Sequence, residues 1–444
     1  MVRVALVSVG SRGDIQPYCV LGQAFAAQGH DVTIVTEKRL QRLVEDEFKL
    51  PVNVIEGDFC AFFHERATID RLKTAGFLDT LAILGTWNKG YDLGVVAASY
   101  ETALAGADIV ITGIISMTES YCVAEKLRQV WVPLFLGNAV MPTRSFPHCL
   151  FDKWTCGIPW LNKLTHTFSF EQLWSKQARY IGPWRRDVLK LPPITSKLGV
   201  VDAILTNDAI HAYQCCSTLL AGPTRGPPAD VAPTKAIYTG FLFPEAGATG
   251  PPLLHAFLAQ ARVDDVPVIY LGFGSMTAVD ARTLYDIAVQ VCHTAKCRCV
   301  FVSGWSSSCA TDCHVIEEAS PSVWVEPSAP HPWLFPQMRC ILHHAGMGTT
   351  AAALQSGVPQ IPCPIVGDQF HNAAEMVHLG VALTVVSQKE FTSARVTQAV
   401  AAVLRNDKDV QVKAKSMGEF VTKESDGNAA RLCASILTTK PTFE

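Results

Sequence analysis

Two stretches of the chain combine residue types that could act on a charged, hydroxylated ligand. In one, an apolar run ends in His344-Ala345-Gly346-Met347-Gly348-Thr349-Thr350. Small residues at a strand-to-helix turn let backbone N–H groups approach an anion, and the start of the helix adds a partial positive charge. His344 and the two threonine hydroxyls supply further donors, so the segment reads as a diphosphate cradle without a P-loop lysine. The same logic repeats at Gly272-Phe273-Gly274-Ser275. One apolar run beyond the cradle comes Asp368-Gln369, a carboxylate and an amide able to hydrogen-bond several sugar hydroxyls at once. The same pair could instead cap a helix starting near Phe370. In the other stretch, Asp14 lies in the loop between an apolar strand and a helix that Pro17 can open. A carboxylate there can take the proton of an alcohol as general base, or it can cap the helix or pair with Arg12.

These groups need elements that bring them to strand ends. Val2–Gly10 is a continuous apolar run suited to a strand covered on both faces, followed by a helix ending near Gly29 and a second strand, His30–Thr36. That spacing predicts a parallel βαβ unit. Further strands are expected at Asp108–Gly113, Trp131–Gly137, Asp202–Asn207 and Ala236–Gly240. Gly and Pro crowd residues 221–252 and mark a boundary. The pattern then restarts with strands at Val266–Ser275, Arg298–Gly304, around Trp324, around Ile341 and around Ile361, and with helices at about Asp280–Thr294 and from near Gly348. The expected fold is α/β, with two doubly wound Rossmann-like domains facing across a cleft. Residues 1–240 would form the first, 241–252 a linker and 253–444 the second, whose last helix could return to the first. Ligands of open α/β sheets bind at the carboxyl ends of the strands.

Composition excludes several classes. A formal net charge of -3 with both signs mixed along 444 residues gives no support for nucleic-acid binding. The N-terminal apolar run is too short for a signal peptide or a membrane span, so a cytoplasmic protein with reduced thiols is expected; 15 cysteines is an odd number, unlike a disulfide framework. The Cys292, Cys297, Cys299, Cys309 and Cys313 spacing does not fit paired zinc knuckles. Glu318 and Glu326 flank a strand and not the donor loop, and Asp407-Lys408-Asp409 lies in a charged turn, so neither is read as chemistry. Gly10-Ser11-Arg12-Gly13-Asp14 lacks the dinucleotide fingerprint expected of an NAD oxidoreductase.

The run His344-Ala-Gly-x-Gly-Thr, with Pro359, Gly367-Asp368-Gln369 and Asn372, resembles the donor signature of the GT-B nucleotide-sugar glycosyltransferases of family 1. Gly10-Ser-Arg-Gly-Asp-Ile-Gln-Pro17, Phe146-Pro-His148, Trp184 to Pro192, Gly272 to Ser275 and Pro330-His-x-Trp-Leu-Phe335 are similar to the sterol 3-β-glucosyltransferase branch, and bacterial antibiotic-aglycone transferases share several of these motifs. The resemblance runs nearly end to end. Ala345 and Met347 stand where that branch usually has glycine and alanine. It implies that Ser275, His344, Gly346, Gly348 and Thr349 contact the diphosphate, that Asp368 and Gln369 hold the hexose, that Trp305 lies by the base, and that Asp14 is the general base. It further implies an inverting transfer of a hexose, glucose first, from a UDP-sugar, with no cofactor and no metal.

The acceptor pocket is expected in the first domain, with Phe62, Phe63, Trp87, Met141, Phe146 and Trp160 as candidates for an apolar wall suited to a sterol, macrolide or polyphenol. The partners expected are the UDP-sugar, a hydrophobic small molecule and, at most, a membrane surface touched peripherally; no obligate protein partner is expected. Two other readings share the architecture: a UDP-sugar 2-epimerase and a non-catalytic nucleotide-sugar-binding module. The first-loop and Trp184-to-Pro192 motifs argue against the epimerase, and retention of both Asp14 and Asp368-Gln369 against the module.

Overall fold

The computed structural model describes the chain apart from residues 62–64, 66, 69, 72–82, 84–89, 138–140, 152–156, 223–224, 246, 248, 275–278, 305–319, 406 and 444. It divides into two compact units. One comprises Met1–Phe62, Leu84–Pro244 and Glu424–Glu444, the other Phe63–Ile83 and Glu245–Lys423. No helix among the described residues is long and apolar enough to cross a membrane.

The first unit is built on seven parallel strands: β1 (Arg3–Val7), β2 (Asp31–Glu37), β3 (Val52–Ile55), β4 (Ile109–Thr112), β5 (Val130–Phe135), β6 (Tyr213–Gln214) and β7 (Ile237–Tyr238). Their order is β3-β2-β1-β4-β5-β6-β7, so the direction of winding reverses between β1 and β4. Helices α1 (Arg12–Ala27), α2 (Leu93–Leu104), α3 (Met117–Leu127), α4 (Pro159–Pro183) and α5 (Val200–Thr206) cover the sheet. Four of the five β1 residues are buried, as a strand covered on both faces requires. The C-terminal helix, Asn428–Leu437, lays Leu432, Cys433 and Ile436 into the same core as Ile15, Cys19 and Phe25 of α1.

Two expectations need correction here. Asp202–Asn207 is not a strand but part of α5: its buried residues, Val200, Val201 and Ile204, fall at helical spacing on one face. Helix α1 does not open at Pro17, which lies inside it; it starts at Arg12 behind the N-cap residue Ser11.

The second unit has five parallel strands, β8 (Val268–Gly272), β9 (Arg298–Val302), β10 (Val323–Glu326), β11 (Cys340–His343) and β12 (Gln360–Pro362), ordered β10-β9-β8-β11-β12. Its helices are α6 (Pro252–Val263), α7 (Ala281–Ala295), α8 (Met347–Ser356), α9 (Gln369–His378), α10 (Ser393–Arg405) and α11 (Asp407–Ser425). The winding reverses between β8 and β11, where His343 pairs with Gly272.

One buried ion pair holds the segment after α4 in place. Arg185 donates through Nε and Nη2 to the Pro192 carbonyl at 2.9 and 2.7 Å and through Nη1 to Glu125 of α3 at 2.8 Å. Its side chain is only 3% exposed, so removing it strands a carboxylate and a carbonyl. Arg185→Ala should therefore destabilise the first unit by about 3–5 kcal/mol, and Arg185→Lys by less, measured as the shift in its denaturant midpoint. An unchanged midpoint would show that the ion pair contributes nothing net.

Candidate active site

Asp14 is the third residue of α1, and its carboxylate is fixed by the turn that precedes the helix. The Ser11 N–H and hydroxyl both donate to Oδ2, at 2.7 and 2.8 Å. Ser8 Oγ donates to the Asp14 carbonyl at 3.0 Å. Ser-x-x-Asp is the spacing of a capping box, so this hold was readable in Ser11-Arg-Gly-Asp14. Arg12 does not pair with Asp14; it bridges to Glu47 at 2.8 Å. Asp14 thus fills its capping place and still has Oδ1 without a protein partner among the described residues. Burial raises its pKa above the ordinary carboxylate value, and the two Ser11 bonds oppose that shift.

Asp14 lines a small, open cleft in the first unit, at the carboxyl ends of β1, β4 and β5, where the winding reverses. Gly10 has φ +121°, and a Cβ there would lie 2.6 Å from Asp14 Oδ2. Only glycine lets the loop pass so close to the carboxylate. Beside this loop, the buried Glu37 at the end of β2 accepts from the Phe59 N–H at 2.5 Å, and burial pushes its pKa up to about 7. Composition and motif gave no sign of Glu37, since a carboxylate at a strand end is ordinarily solvated.

In the second unit the loops after β8, β11 and β12 meet. His343, fully buried, accepts the Ala345 N–H on Nδ1 at 3.1 Å and donates from Nε2 to Gln360 Oε1 at 2.9 Å. Those two bonds fix its tautomer and pin the turn. Ala345 has φ +63°, a left-handed conformation that costs a non-glycine residue about 1–2 kcal/mol. Its N–H is held by His343, and its carbonyl accepts from Asn372 Nδ2 at 3.0 Å. Asn372 also donates to Asp368 Oδ2 at 3.1 Å, so one buried amide ties the β11 and β12 loops together. The family motif includes Asn372, but its role as a clamp is visible only in the fold.

His344 is 8% exposed, with the Gly346 backbone pressed against Nε2 and Gly274 against its ring carbon; a Cβ at Gly274 would lie 3.2 Å away. Its Nδ1 is buried without a partner. Burial, reinforced by His343 and His331, lowers its pKa to about 3, so the ring is neutral at physiological pH. Gly346 is the N-cap of α8 and no side chain closes that helix end. Gly348 and Thr349, in the first turn, are exposed and half-buried, whereas Thr350 is fully buried and offers its hydroxyl to no solvent-borne ligand. Asp368 is exposed at the start of α9. Gln369 is buried, and its side-chain carbonyl accepts from the Ile365 and Val366 N–H groups at 2.8 and 3.1 Å.

Of the remaining candidates, Phe62, Phe63, Trp87, Ser275 and Trp305 lie outside the described residues. Met141 belongs to the packed core of the first unit. Phe146 is 6% exposed and packs against His166 and Gly222. Trp160 is 65% exposed on α4.

Comparisons with known proteins agree with this architecture. Residues 4–116 match the glycosyltransferase family 28 N-terminal domain, and residues 317–432 match the erythromycin biosynthesis protein CIII-like C-terminal domain. The chain is 28% identical over 438 residues to the sterol 3-beta-glucosyltransferase of Komagataella phaffii, covering 97% of this chain and 34% of that protein. It is 30% identical over 437 residues to that of Debaryomyces hansenii, covering 95% and 26%. It therefore spans about a third or less of the length of these relatives. Among solved structures, the glycotransferase of kitacinnamycin superposes with a TM-score of 0.68 at 18% identity over 99% of both chains. The calicheamicin glycosyltransferase CalG4 gives 0.67 at 16% over 98% of both. The fold is thus that of the GT-B glycosyltransferases. Along nearly its whole length the chain is similar to sterol 3-beta-glucosyltransferases.

The two buried histidines set an acid limit on the second unit. His343 is held at about 4 and His344 at about 3, chiefly by burial, while both return to near 6.5 on unfolding. The unfolded chain then binds more protons, so this contribution is complete above pH 6.5 and is lost as pH falls toward 4 and below. The melting temperature of the full chain should drop over that window, and His343→Gln should shrink the drop. Equal acid losses in both proteins would assign the effect to other groups.

Proposed function

We propose that this protein is an inverting, metal-independent glycosyltransferase that moves a hexose, glucose first, from a UDP-sugar to the hydroxyl of a sterol or another hydrophobic alcohol. The observation that carries the reading is similarity to sterol 3-beta-glucosyltransferases along nearly the whole chain. Both chemical halves are also present: a carboxylate with a free oxygen in an apolar cleft, and a helix N-terminus with no side chain over it beside a neutral histidine.

An alcohol is a weak nucleophile at neutral pH, and Asp14 can accept its proton as the bond to the anomeric carbon forms. Burial raises the pKa of Asp14 and so makes it a stronger base than an exposed aspartate, and the Ser11 donors oppose that shift. Charge builds on the departing diphosphate, and the first N–H groups of α8, the helix dipole and the His344 ring are suited to absorb it. With the leaving group stabilised by fixed dipoles, the reaction asks for no metal. One base and one cradle suffice for a single displacement, which inverts the anomeric centre. Asp368 and the Gln369 amide would hold the sugar hydroxyls, and Asn372 keeps Asp368 in register with the cradle.

The test is UDP release from purified protein given UDP-glucose and a panel of sterols, other apolar alcohols, a macrolide and a polyphenol, with and without a chelator, and with product mass and anomeric configuration determined. A sterol-dependent, chelator-insensitive release yielding an inverted monoglucoside is expected. Transfer only to the macrolide or polyphenol would replace the acceptor class, and loss on chelation would overturn metal independence.

Asp14→Asn should lower turnover by about 10²–10⁴-fold while leaving UDP affinity nearly unchanged. His344→Ala should weaken UDP binding and turnover together. Near-normal turnover in Asp14→Asn would remove Asp14 from the base role.

A further inference from the structure

Gly10, whose backbone presses on Asp14, also faces a second buried acid. Glu37 ends β2, the strand beside β1, and is 2% exposed. Its carboxylate accepts the Phe59 N–H at 2.5 Å, and the Gly10 N–H points at the same group. Oε2 is buried and completes no bond of ordinary geometry. Successive peptide groups of one turn thus address two carboxylates: the Gly10 N–H looks to Glu37, and the Ser11 N–H donates to Asp14 Oδ2 at 2.7 Å. Ser8 pins the start of that turn to β2, its N–H donating to the Val35 carbonyl at 3.1 Å. Since a Cβ at Gly10 would stand 2.6 Å from Asp14 Oδ2, any shift of the Gly10 backbone is felt at that carboxylate.

The groups around Glu37 leave its charge to be met by backbone. Arg39 favours the ionised form and Asp58 opposes it, but those two already pair with each other at 2.5 Å. Cys60, Tyr91 and Tyr100 also feel its charge, and burial holds each of them protonated and neutral near neutral pH. Asp14, beyond Gly10, is the remaining acid nearby. An ionised carboxylate can accept the Phe59 and Gly10 N–H groups together, whereas the protonated acid turns an O–H toward one of them. Ionisation therefore draws the Gly10 N–H toward Glu37, and protonation releases it.

We propose that Glu37 is a positioning residue for Asp14: its ionised carboxylate draws in the Gly10 turn and seats Asp14 for transfer, and protonation of Glu37 lets that turn relax, so that acid slows the reaction. This rests on the transferase reading for its catalytic meaning. The coupling of Glu37 to the Gly10 turn stands on the first unit alone.

The full chain is labelled with carbonyl-13C valine and 15N glycine, which together select the Val-Gly peptides at Gly10 and Gly367. Their amide signals are followed between about pH 5.5 and 8.5 in wild type and in Glu37→Gln. The Gly10 amide should move in a step centred at about 7 in wild type and lose that step in Glu37→Gln, while Gly367, in the second unit, should behave alike in both. With a transferred alcohol, wild-type kcat should fall through the same step as pH drops. Glu37→Gln should lose the step and run slower by up to about 10²-fold, with the KM for the UDP-sugar unchanged. The folded chain keeps the Glu37 proton up to about 7 against 4.5 for an ordinary glutamate, so stability from this group is complete below pH 4.5 and is lost as pH rises to 7. Glutamine suffers no such loss, so Glu37→Gln should melt no lower than wild type at about pH 8, which separates lost positioning from lost structure. A Gly10 amide that does not titrate near 7, or that titrates alike in Glu37→Gln, overturns the proposal, and so does a rate step that survives the substitution. A Gly10 step that vanishes in Glu37→Gln, in a protein that transfers to no alcohol, would sustain the coupling and refute the transferase reading.

Discussion

Close approach of bare backbone to an inward-turned polar side chain is the constraint on which the candidate residues of each unit depend. At Gly10 the chain passes so near Asp14 that a methyl group would collide with the carboxylate. At Gly346 the backbone lies against the His344 ring with the same intolerance. In each unit the contact occurs where a parallel strand hands over to a helix. There the helix start is closed by a capping box in the first unit and by no side chain in the second, and the loop must be both tight and rigid. Rigidity comes from polar side chains turned inward: Ser11 and Ser8 around Asp14, and His343 and Asn372 around Ala345. The left-handed Ala345 is strained, and it persists because both its N–H and its carbonyl are bonded.

Burial at these strand ends drives acids and bases in opposite directions. It makes Asp14 and Glu37 more reluctant to lose a proton and makes His343 and His344 more reluctant to gain one. Both shifts disfavour the charged form of the group concerned. On the transferase reading, the helix dipole, the N–H groups and the neutral His344 ring of the second unit would suit a leaving group whose charge appears only as the reaction proceeds.

The sequence was most legible where a local rule is strong. The apolar runs of β1 and β8, the βαβ spacing, the glycine turns and Ser11-x-x-Asp14 each announce a structure through periodicity or turn chemistry. Two-residue β6 carries too little pattern to be seen, and α5 was misread because Asp202–Asn207 alone is a short apolar run between polar ends, while its helical face begins two residues earlier. Thr350 looks equivalent to Thr349 in sequence, yet helix geometry turns one inward and leaves the other half-open. Asn372 was illegible as a clamp for a deeper reason: it matters through two partners 4 and 27 residues away.

Bonding commitment separates the residues that build the site from those available to a ligand. Asp14 spends Oδ2 on Ser11 and keeps Oδ1. Gln369 spends its carbonyl on its own loop and keeps its amide hydrogens. His343 has both ring nitrogens engaged, whereas the adjacent His344 has a buried Nδ1 with no partner. Since buried polar atoms are otherwise nearly always paired, the uncommitted ones carry information. Asp14 in the first unit and His344 and Gln369 in the second lie at the carboxyl ends of strands beside the reversal of winding of their own sheets, where ligands of open α/β sheets bind. Each such residue is anchored by one set of atoms and presents another, so substitutions that keep the anchor but remove the presented atom are the ones that separate chemistry from folding.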